Sequence, residues 1–177
     1  VLLQLQNEAT GLEHLIEQIL LLYRISPEHY QARMAPLDLS ELARQVIADQ
    51  YNSFQCKQQS IEFIGDACII NGDNFTLTTL LQNLLSNACK YTPVQGHIKV
   101  LVEKHSSTVS LSVIDSGPGM DEAERERVFE RFYRIGGDRH KSSEQGSGLG
   151  LSIVKLIVDL YQAKIHFKES SFASGLA

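Results

Sequence analysis

The chain has 177 residues with a formal net charge of −5, and 43% of its residues are hydrophobic. That length suffices for one good hydrophobic core with a small appendage. The acidic balance, without any cluster of Lys or Arg, argues against nucleic-acid binding, because neutralising phosphates requires a basic face. The apolar stretches are too short to span a bilayer and no signal peptide is visible, which favours a cytosolic chain. The cysteines Cys56, Cys68 and Cys89 lack paired spacing, so neither a disulfide framework nor a zinc site is expected.

The first predicted element is one long amphipathic helix over residues 1–26. Its apolar residues recur at helical spacing: Leu5, Leu12, Leu15, Ile16, Ile19, Leu20 and Leu22. The two prolines of "SPEHYQARMAP" then separate it from the rest, so we expect a linker over residues 27–36. The apolar stripe favours pairing with another helix, and a core helix of the same domain is the alternative.

Helices and strands alternate through residues 37–177. Ser40 is predicted to cap a helix that runs towards Gln58, and strands follow in "SIEFIG" and "ACIIN". A helix in "DNFTLTTLLQNLLSNACKY" precedes a hairpin formed by "HIKVLVEK" and "TVSLSVID". After a charged stretch, a helix from about Leu149 to Tyr161 leads to a strand "KIHFKE". This alternation lacks a strict βαβ rhythm and predicts an α/β fold with a mixed sheet covered by helices on one face.

The segment "LLQNLLSNACKY" places Asn83, Asn87 and Lys90 on one face of its predicted helix. Asparagine is a poor helix former at a surface, because its amide competes for backbone hydrogen bonds. An amide oxygen is, however, a suitable ligand for Mg²⁺, and a lysine beside it offers positive charge to a phosphate. A solvated helix face is the alternative interpretation.

The segment "VIDSGPGM" ends a predicted strand in Asp115 and continues into a turn that contains Gly117 and Gly119. A carboxylate in this position can accept a hydrogen bond from the exocyclic amine of a base, while the glycines let the backbone approach the ligand. The same residue types also favour an ordinary turn, which remains the alternative.

The segment "VFERFYR" has phenylalanines at positions 129 and 132, three residues apart. One helical turn would place Phe129 and Phe132 on one side, where they would anchor the loop to the domain. Tyr133 and Arg134 would then face a nucleotide. A simple hydrophobic plug for a surface helix is the alternative.

The segment "EQGSGLGLSIVKLI" places Gly146, Gly148 and Gly150 directly before an apolar run with helical spacing. The first turn of a helix presents unpaired N–H groups and the positive end of the helix dipole, and glycines there let a polyanion reach the backbone. We expect a phosphate cradle, although a flexible hinge would use the same residues.

In this order and spacing, "NLLSNACKY", "DSGPGM", "VFERFYR" and "GSGLGL" resemble the N, G1, F and G2 boxes of the two-component sensor histidine kinases. These kinases share an ATPase superfamily with type II topoisomerases, Hsp90 chaperones and MutL-type proteins. The resemblance covers residues 37–177, and residues 1–26 resemble the second helix of the family's dimerisation and phosphoacceptor hairpin. It implies a two-layer α/β sandwich of the Bergerat type with a mixed sheet, ATP bound under a lid, and a homodimer formed through the hairpin helices.

The resemblance also implies roles for the residues that would contact phosphate. Asn87 would bind Mg²⁺, with Asn83 beside it on the same face, and Lys90 would contact a phosphate. Arg134 would stabilise charge during phosphoryl transfer. The glycine-rich box would close around the phosphates with four residues: Gly146, Gly148, Leu149 and Gly150.

The adenine end of the site follows from the same resemblance. Asp115 would accept a hydrogen bond from the adenine amine, and Gly117 and Gly119 would shape that wall. Tyr91 would pack beside the nucleoside, and Tyr133 would approach it from the lid. The implied partners are ATP and a response regulator, and the implied location is the cytoplasmic side of an inner-membrane sensor protein.

Two features depart from the family pattern. The histidines are His14, His29, His97, His105, His140 and His166, and none has an "HELRTPL"-like setting, which we expect before residue 1. We interpret His14 as a surface residue rather than as a substitute acceptor. The chain also stops at "FASGLA", about where the family's last core strand begins, so we expect a fragment of a longer protein.

Three other functions remain as alternatives. A gyrase-like or MutL-like ATPase would need a catalytic glutamate early in the N-box helix, where this chain has "TLTTLLQN". A serine kinase of the anti-sigma type usually lacks both the hairpin helix and the long lid. A nucleotide-free interaction module would have degenerate boxes, whereas the boxes here are intact.

Overall fold

The structure, a computed structural model, describes residues 2–26, 29–135 and 147–172. The helices of these residues are α1 (Leu2–Ile25), α2 (Leu39–Asp49), α3 (Tyr51–Cys56), α4 (Asn74–Tyr91), α5 (Glu122–Arg125) and α6 (Gly150–Leu160), with a 3-10 turn at Arg127–Phe129. The strands are β1 (Ala35–Asp38), β2 (Ser60–Ile64), β3 (Ile69–Gly72), β4 (His97–Lys104) and β5 (Val109–Asp115).

The strands form two sheets rather than one. β1 pairs with β3 in an antiparallel sheet, and β2, β4 and β5 form a mixed sheet in that order. β2 runs parallel to β4, with Ser60 opposite His97, and β5 returns antiparallel to β4, with Val109 opposite Lys104. The predicted hairpin and the predicted α/β fold with a mixed sheet are therefore confirmed.

The main core lies between the mixed sheet and the helices α2 and α4. Phe54, Leu81, Leu85 and Val100 are fully buried in this core, which also contains Val46. The apolar face of α4 thus packs against the sheet, and the opposite part of the same helix is left to carry the polar residues of its sequence. This packing sets the orientation of the candidate site.

A second core joins α1, α4 and α6. Leu22 and Ile25 of α1 are buried in the same cluster as Leu80 of α4 and Ile153 and Ile157 of α6. Earlier in α1, several apolar side chains are exposed: Leu12, Ile16, Ile19 and Leu20. The end of α1 therefore belongs to the core of the domain, and an apolar stretch before it stays uncovered.

Ser40 does not cap α2, contrary to the prediction. The cap is Asp38, whose carboxylate accepts hydrogen bonds from the backbone N–H groups of Ser40 (3.0 Å), Glu41 (3.4 Å) and Cys68 (3.0 Å). The hydroxyl of Ser40 instead donates to the carbonyl of Asp66 at 2.6 Å, which ties α2 to the loop before β3. The bond from Cys68 and those from the first turn of α2 lower the pKa of Asp38.

The helix predicted to run towards Gln58 is also divided. α2 ends at Asp49, Gln50 leaves helical geometry with φ −97° and ψ 3°, and α3 then covers Tyr51–Cys56. Phe54 turns into the core after this break.

The predicted strand "KIHFKE" does not form in the described residues. Residues 164–168 have no regular structure, and Glu169 makes only an isolated bridge. The segment is held by other contacts, because Phe167 stacks on Phe129 with ring centroids 5.4 Å apart and Ser170 donates to the carbonyl of Asp115 at 2.7 Å. Among the helices of the described residues, none combines the length and apolar character that a bilayer crossing requires.

Candidate functional site

A cavity of about 320 Å³ opens between α4, β5, the segment after α5 and the start of α6. Its volume lies in the range of small-molecule sites, about 300–1,000 Å³. Ten of the predicted site residues line it: Asn83, Asn87, Lys90, Tyr91, Asp115, Gly119, Tyr133, Arg134, Gly148 and Gly150. The structure thus brings together residues from all four segments that the sequence singled out.

The amides of α4 meet the start of α6. The side-chain N–H of Asn83 donates to the carbonyl of Thr79 at 2.8 Å, which fixes the direction of the amide. A methyl group added at Gly150 would lie 3.1 Å from Asn83 Oδ1, and 3.7 and 3.8 Å from Nδ2 and Oδ1 of Asn87. Both side-chain amides therefore lie at the amino end of a helix, and the absence of a side chain at Gly150 keeps the space between them open.

Lys90 and Tyr91 form the end of α4 beside the cavity. The Lys90 ammonium lies 4.9 Å from the centroid of the Tyr91 ring, and this ring is 49% exposed. The carbonyl groups of this last helical turn accept hydrogen bonds from a lysine outside the helix. Lys57 Nζ donates to the carbonyls of Cys89 (3.1 Å) and Lys90 (2.7 Å).

Asp115 lines the cavity at the end of β5, close to the carboxyl end of α4. One of its carboxylate oxygens accepts the N–H of Gly117 at 2.7 Å, which orients the carboxylate at the turn. A side chain at Gly117 would collide with this carboxylate oxygen (2.8 Å) and with the carbonyl of Tyr91 (2.9 Å). Gly117 is buried behind the wall rather than lining the cavity, and its small size lets β5 and α4 come together there.

The segment after α5 differs from the prediction at one phenylalanine. Phe129 is half-buried against Phe167, as expected, and Val128 is buried. Phe132 is instead 59% exposed with a φ of +65°, because the 3-10 turn ends at Phe129 and Glu130 is extended. The two phenylalanines therefore do not share one helical face.

Tyr133 and Arg134 both line the cavity. The hydroxyl of Tyr133 donates to the Glu124 carboxylate, and the Arg127 guanidinium lies 4.3 Å from the centroid of the Tyr133 ring. The bond to Glu124 raises the pKa of Tyr133. The hydroxyl thus braces the segment against α5, and the ring is the part of Tyr133 that is positioned for a ligand.

The glycine-rich segment is described from Ser147 onward, and Gly146 lies outside the described residues. Gly148 has a φ of +71°, and its carbonyl accepts the N–H of Phe132 at 2.9 Å. The side chain of Leu149 is buried in the second core and does not line the cavity. Only the backbone of Leu149 could therefore contact a phosphate, as predicted for this residue.

Several lining residues carried no signal in the sequence. Leu111, Ser112 and Val113 of β5, Met120 after it, and Ile165 and His166 near the end all contribute to the walls. Leu111 and Val113 are exceptions, because the alternation of β5 could have indicated them. Gln18 of α1 also lines the cavity, 129 residues before its hydrogen-bond partner Ser147, and no local pattern could have indicated it.

Asp115 is the sole carboxylate among the described residues that line the cavity. In the same residues, no group of three or more His, Cys, Asp or Glu side chains could hold a metal ion. A divalent ion at this site would therefore depend on the amide oxygens of α4 and on oxygens of a bound ligand. His140 and the side chain of His14 lie outside the described part of the chain.

Comparisons with known proteins show which family the chain belongs to. The family described as "Histidine kinase-, DNA gyrase B-, and HSP90-like ATPase" matches residues 72–175. The chain is 33% identical over 175 residues to the sensor protein kinase PmrB of Pseudomonas aeruginosa, which covers 99% of this chain but only 36% of PmrB. The chain thus spans little more than a third of the length of this curated relative.

Solved structures share the fold, and one of them is a histidine kinase. Full-length ShkA in complex with AMPPNP matches with a TM-score of 0.81 and 25% identity, over 98% of this chain and 36% of that one. Histidine kinase ThkA in complex with response regulator protein TrrA matches with a TM-score of 0.73 and 25% identity, over 97% of this chain and 46% of that one. The resemblance to the sensor kinases is confirmed, and a match over more than half of the sequence shows that the chain belongs to the histidine kinase-, DNA gyrase B- and HSP90-like ATPase family.

Proposed function

We propose that the chain is the ATP-binding kinase part of a two-component sensor histidine kinase. The observation that carries this proposal is the meeting of the Asn83 and Asn87 side-chain amides with the amino end of α6 at Gly150, in a cavity that Asp115 also lines. A nucleotide triphosphate has a base at one end and a polyanion at the other. The cavity has the Asp115 carboxylate as a hydrogen-bond acceptor at the end of β5 and the amino end of α6 at Gly150, and Lys90 and Arg134 also line it.

The base would bind at the Asp115 end. The Asp115 carboxylate is oriented by the N–H of Gly117 and would accept a hydrogen bond from the amine of adenine. Apolar side chains of β5 and Met120 would cover the faces of the ring. Guanine has a carbonyl where adenine has its amine, so a carboxylate acceptor would repel it and select ATP.

The phosphates would bind between α4 and α6. The first N–H groups of α6 and the positive end of its dipole suit a polyanion, and Lys90 and Arg134 add positive charge along the same cavity. Asn87, with Asn83 beside it, would supply oxygen to a Mg²⁺ ion that enters with the nucleotide. That ion would neutralise charge on the phosphates during transfer.

The reaction would be transfer of the γ-phosphoryl group to a histidine of the dimerisation hairpin. The imidazole nitrogen would attack the phosphorus as the bond to ADP breaks, and Arg134 would stabilise the charge that develops. Phosphoryl transfer of this kind depends on positioning and charge more than on a reactive protein group. The acceptor would be supplied by the hairpin, to which α1 would contribute residues 1–26, with residues 27–36 as the linker to a catalytic domain over residues 37–177.

Hydrolysis of ATP is the competing function. It would require a carboxylate that activates water near the γ-phosphate. Thr79 is buried with its hydroxyl donating to the carbonyl of Phe75, Gln82 is exposed, and Asp115 belongs to the base end of the cavity. The described residues around the cavity thus favour transfer over hydrolysis.

The relatives also indicate the partners. ThkA was solved with a response regulator and ShkA with an ATP analogue, and we propose ATP and a response regulator as the ligand and partner of this protein. By the same reasoning, the protein would act as a homodimer through the hairpin helices, on the cytoplasmic side of an inner-membrane sensor.

Titration of the chain with ATP and magnesium tests the binding part of the proposal. We expect one saturable site per chain that ADP displaces and GTP does not. A chain that gives no heat and no displacement of a fluorescent ATP analogue would contradict the proposal and favour a nucleotide-free interaction module.

A further inference from the structure

Gln18 connects α1 directly to the candidate nucleotide site. It lines the cavity although it lies far outside residues 72–175, over which the ATPase family matches. Its Oε1 accepts a hydrogen bond from the hydroxyl of Ser147. The same hydroxyl oxygen accepts the N–H of Leu149 at 3.2 Å. One side chain of α1 therefore holds the turn that opens α6.

The position of Gln18 is fixed by the packing of α1. Leu22 and Ile25 follow it on the same face of the helix, at four and seven residues, and both are buried. They share their cluster with Leu149 and Ile153 at the start of α6. Gln18 is thus held one turn beyond an apolar contact, with its amide directed at the cavity.

The turn held by Gln18 is the one that would present N–H groups to the phosphates. Ser147 precedes Gly148 with its φ of +71°, and α6 begins two residues later at Gly150. A hydroxyl that bonds to both Gln18 and the N–H of Leu149 restricts the rotation of this turn. The first turn of α6 follows directly, and Gly150 in this turn lies beside the Asn83 and Asn87 amides of α4.

We propose that Gln18 is a positioning residue for nucleotide binding, which acts through Ser147 on the amino end of α6. The inference rests on the proposed binding of ATP in this cavity. It also requires reciprocity: if the docking of α1 strengthens ATP binding, ATP must strengthen the docking of α1 by the same factor. α1 and the nucleotide would then be coupled through one hydrogen bond.

A double-mutant cycle tests the inference. Gln18→Leu keeps the length of the side chain and removes the acceptor, and Ser147→Ala removes the donor. Each should raise the Kd for ATP with magnesium by about two- to tenfold, and the double variant should be no weaker than either single variant. Glu17→Leu, at the exposed neighbouring position of α1, is the matched control and should leave the Kd unchanged.

Hydrogen exchange measures whether ATP changes the protection of α1. A contact that only stabilises the fold would not make this protection depend on ATP. ATP should slow amide exchange in α1 around Gln18 in the unmodified chain, and this protection should disappear in Gln18→Leu. An unchanged Kd in Gln18→Leu, additive losses in the cycle, or equal protection in both proteins would each overturn the inference. An unmodified chain that does not bind ATP at all would overturn the proposed function itself, so the two failures are distinguishable.

Discussion

At the scale of single residues, the site depends on polar groups from two elements, β5 and α4, that line one cavity. Asp115 is oriented by the N–H of Gly117, and Asn87 faces the start of α6 beside Asn83. Asp115 was predicted from a strand end that precedes Gly117 and Gly119, and Asn87 from the helix face that it shares with Asn83, with an ordinary turn and a solvated face as the alternatives. Their separation along one cavity required the packing of α4 against β5 and α6.

Asn87→Ala should weaken ATP binding in the presence of magnesium. Removing the amide oxygen would take away the ligand that α4 offers to the ion, and we expect the Kd to rise about tenfold, or about 1.4 kcal/mol. Calorimetry with magnesium and with a chelator measures the effect. Gln82→Ala, on an exposed part of the same helix, is the matched control. Equal ATP affinity in magnesium for Asn87→Ala and the unmodified chain would contradict the role of Asn87.

Asp115→Asn should reduce the preference for ATP over GTP. The amide would present a donor as well as an acceptor to the base, and leaving one buried polar group unpaired costs about 1–3 kcal/mol. Competition of ATP and GTP against a fluorescent analogue measures the preference. Asp121→Asn is the control, because Asp121 is exposed on the same loop and its side chain does not cap α5. An undiminished preference in Asp115→Asn would remove Asp115 from the base site.

At the scale of elements, the helices were predictable and their ends were not. The apolar spacing of α4 and α6 is long and regular, so both helices follow from the sequence. The cap of α2 was missed because Ser40 is a good local cap, whereas Asp38 also accepts the N–H of Cys68, 30 residues away. A contact of that range has no local pattern. The strand predicted in "KIHFKE" was wrong for a similar reason, since the stacking of Phe167 on Phe129 and the bond from Ser170 to Asp115 at the end of β5 hold this segment without strand pairing.

Asp73, the cap of α4, is a second case in which distant groups converge on one carboxylate. It accepts hydrogen bonds from the Tyr30 hydroxyl (2.7 Å), the N–H of Arg33 (2.7 Å) and the N–H of Thr76 (2.9 Å). Burial opposes ionisation, but these hydrogen bonds prevail and lower the pKa of Asp73. The segment before β1 is thereby attached to the helix that carries the site amides.

Asp73→Ala should therefore destabilise the fold by about 2–4 kcal/mol at neutral pH, since it removes a helix cap and leaves buried donors unpaired. Because the pKa is lower in the folded state, the stabilisation is present above the unfolded value of about 3.9 and is lost as pH falls through the folded value. Urea denaturation at neutral and at acidic pH measures both. Tyr30→Phe should cost only about 1 kcal/mol. A difference between Asp73→Ala and the unmodified chain that does not shrink as the pH falls below both pKa values would contradict this account.

At the scale of the whole molecule, the alternation of elements predicted the α/β class and the mixed sheet. It did not predict that β1 and β3 would form their own sheet, because which strands pair depends on the packing of α2 over the main core. Nor did it predict that the end of α1 joins the core while Leu12, Ile16 and Leu20 stay exposed. An apolar stripe indicates that a helix packs against another surface, but it does not indicate whether that surface belongs to the same domain or to another helix.

The most direct test of the central claim is phosphoryl transfer from ATP labelled at the γ-phosphate. The 177-residue chain should not label itself, and it should label a separately supplied helical hairpin that carries the acceptor histidine, slowly because the two parts are not tethered. The label should be acid-labile, as a phosphohistidine is, and Arg134→Ala should slow its appearance. Release of free phosphate with no label on the hairpin would contradict the account, because it would make the chain an ATPase of another branch of its family.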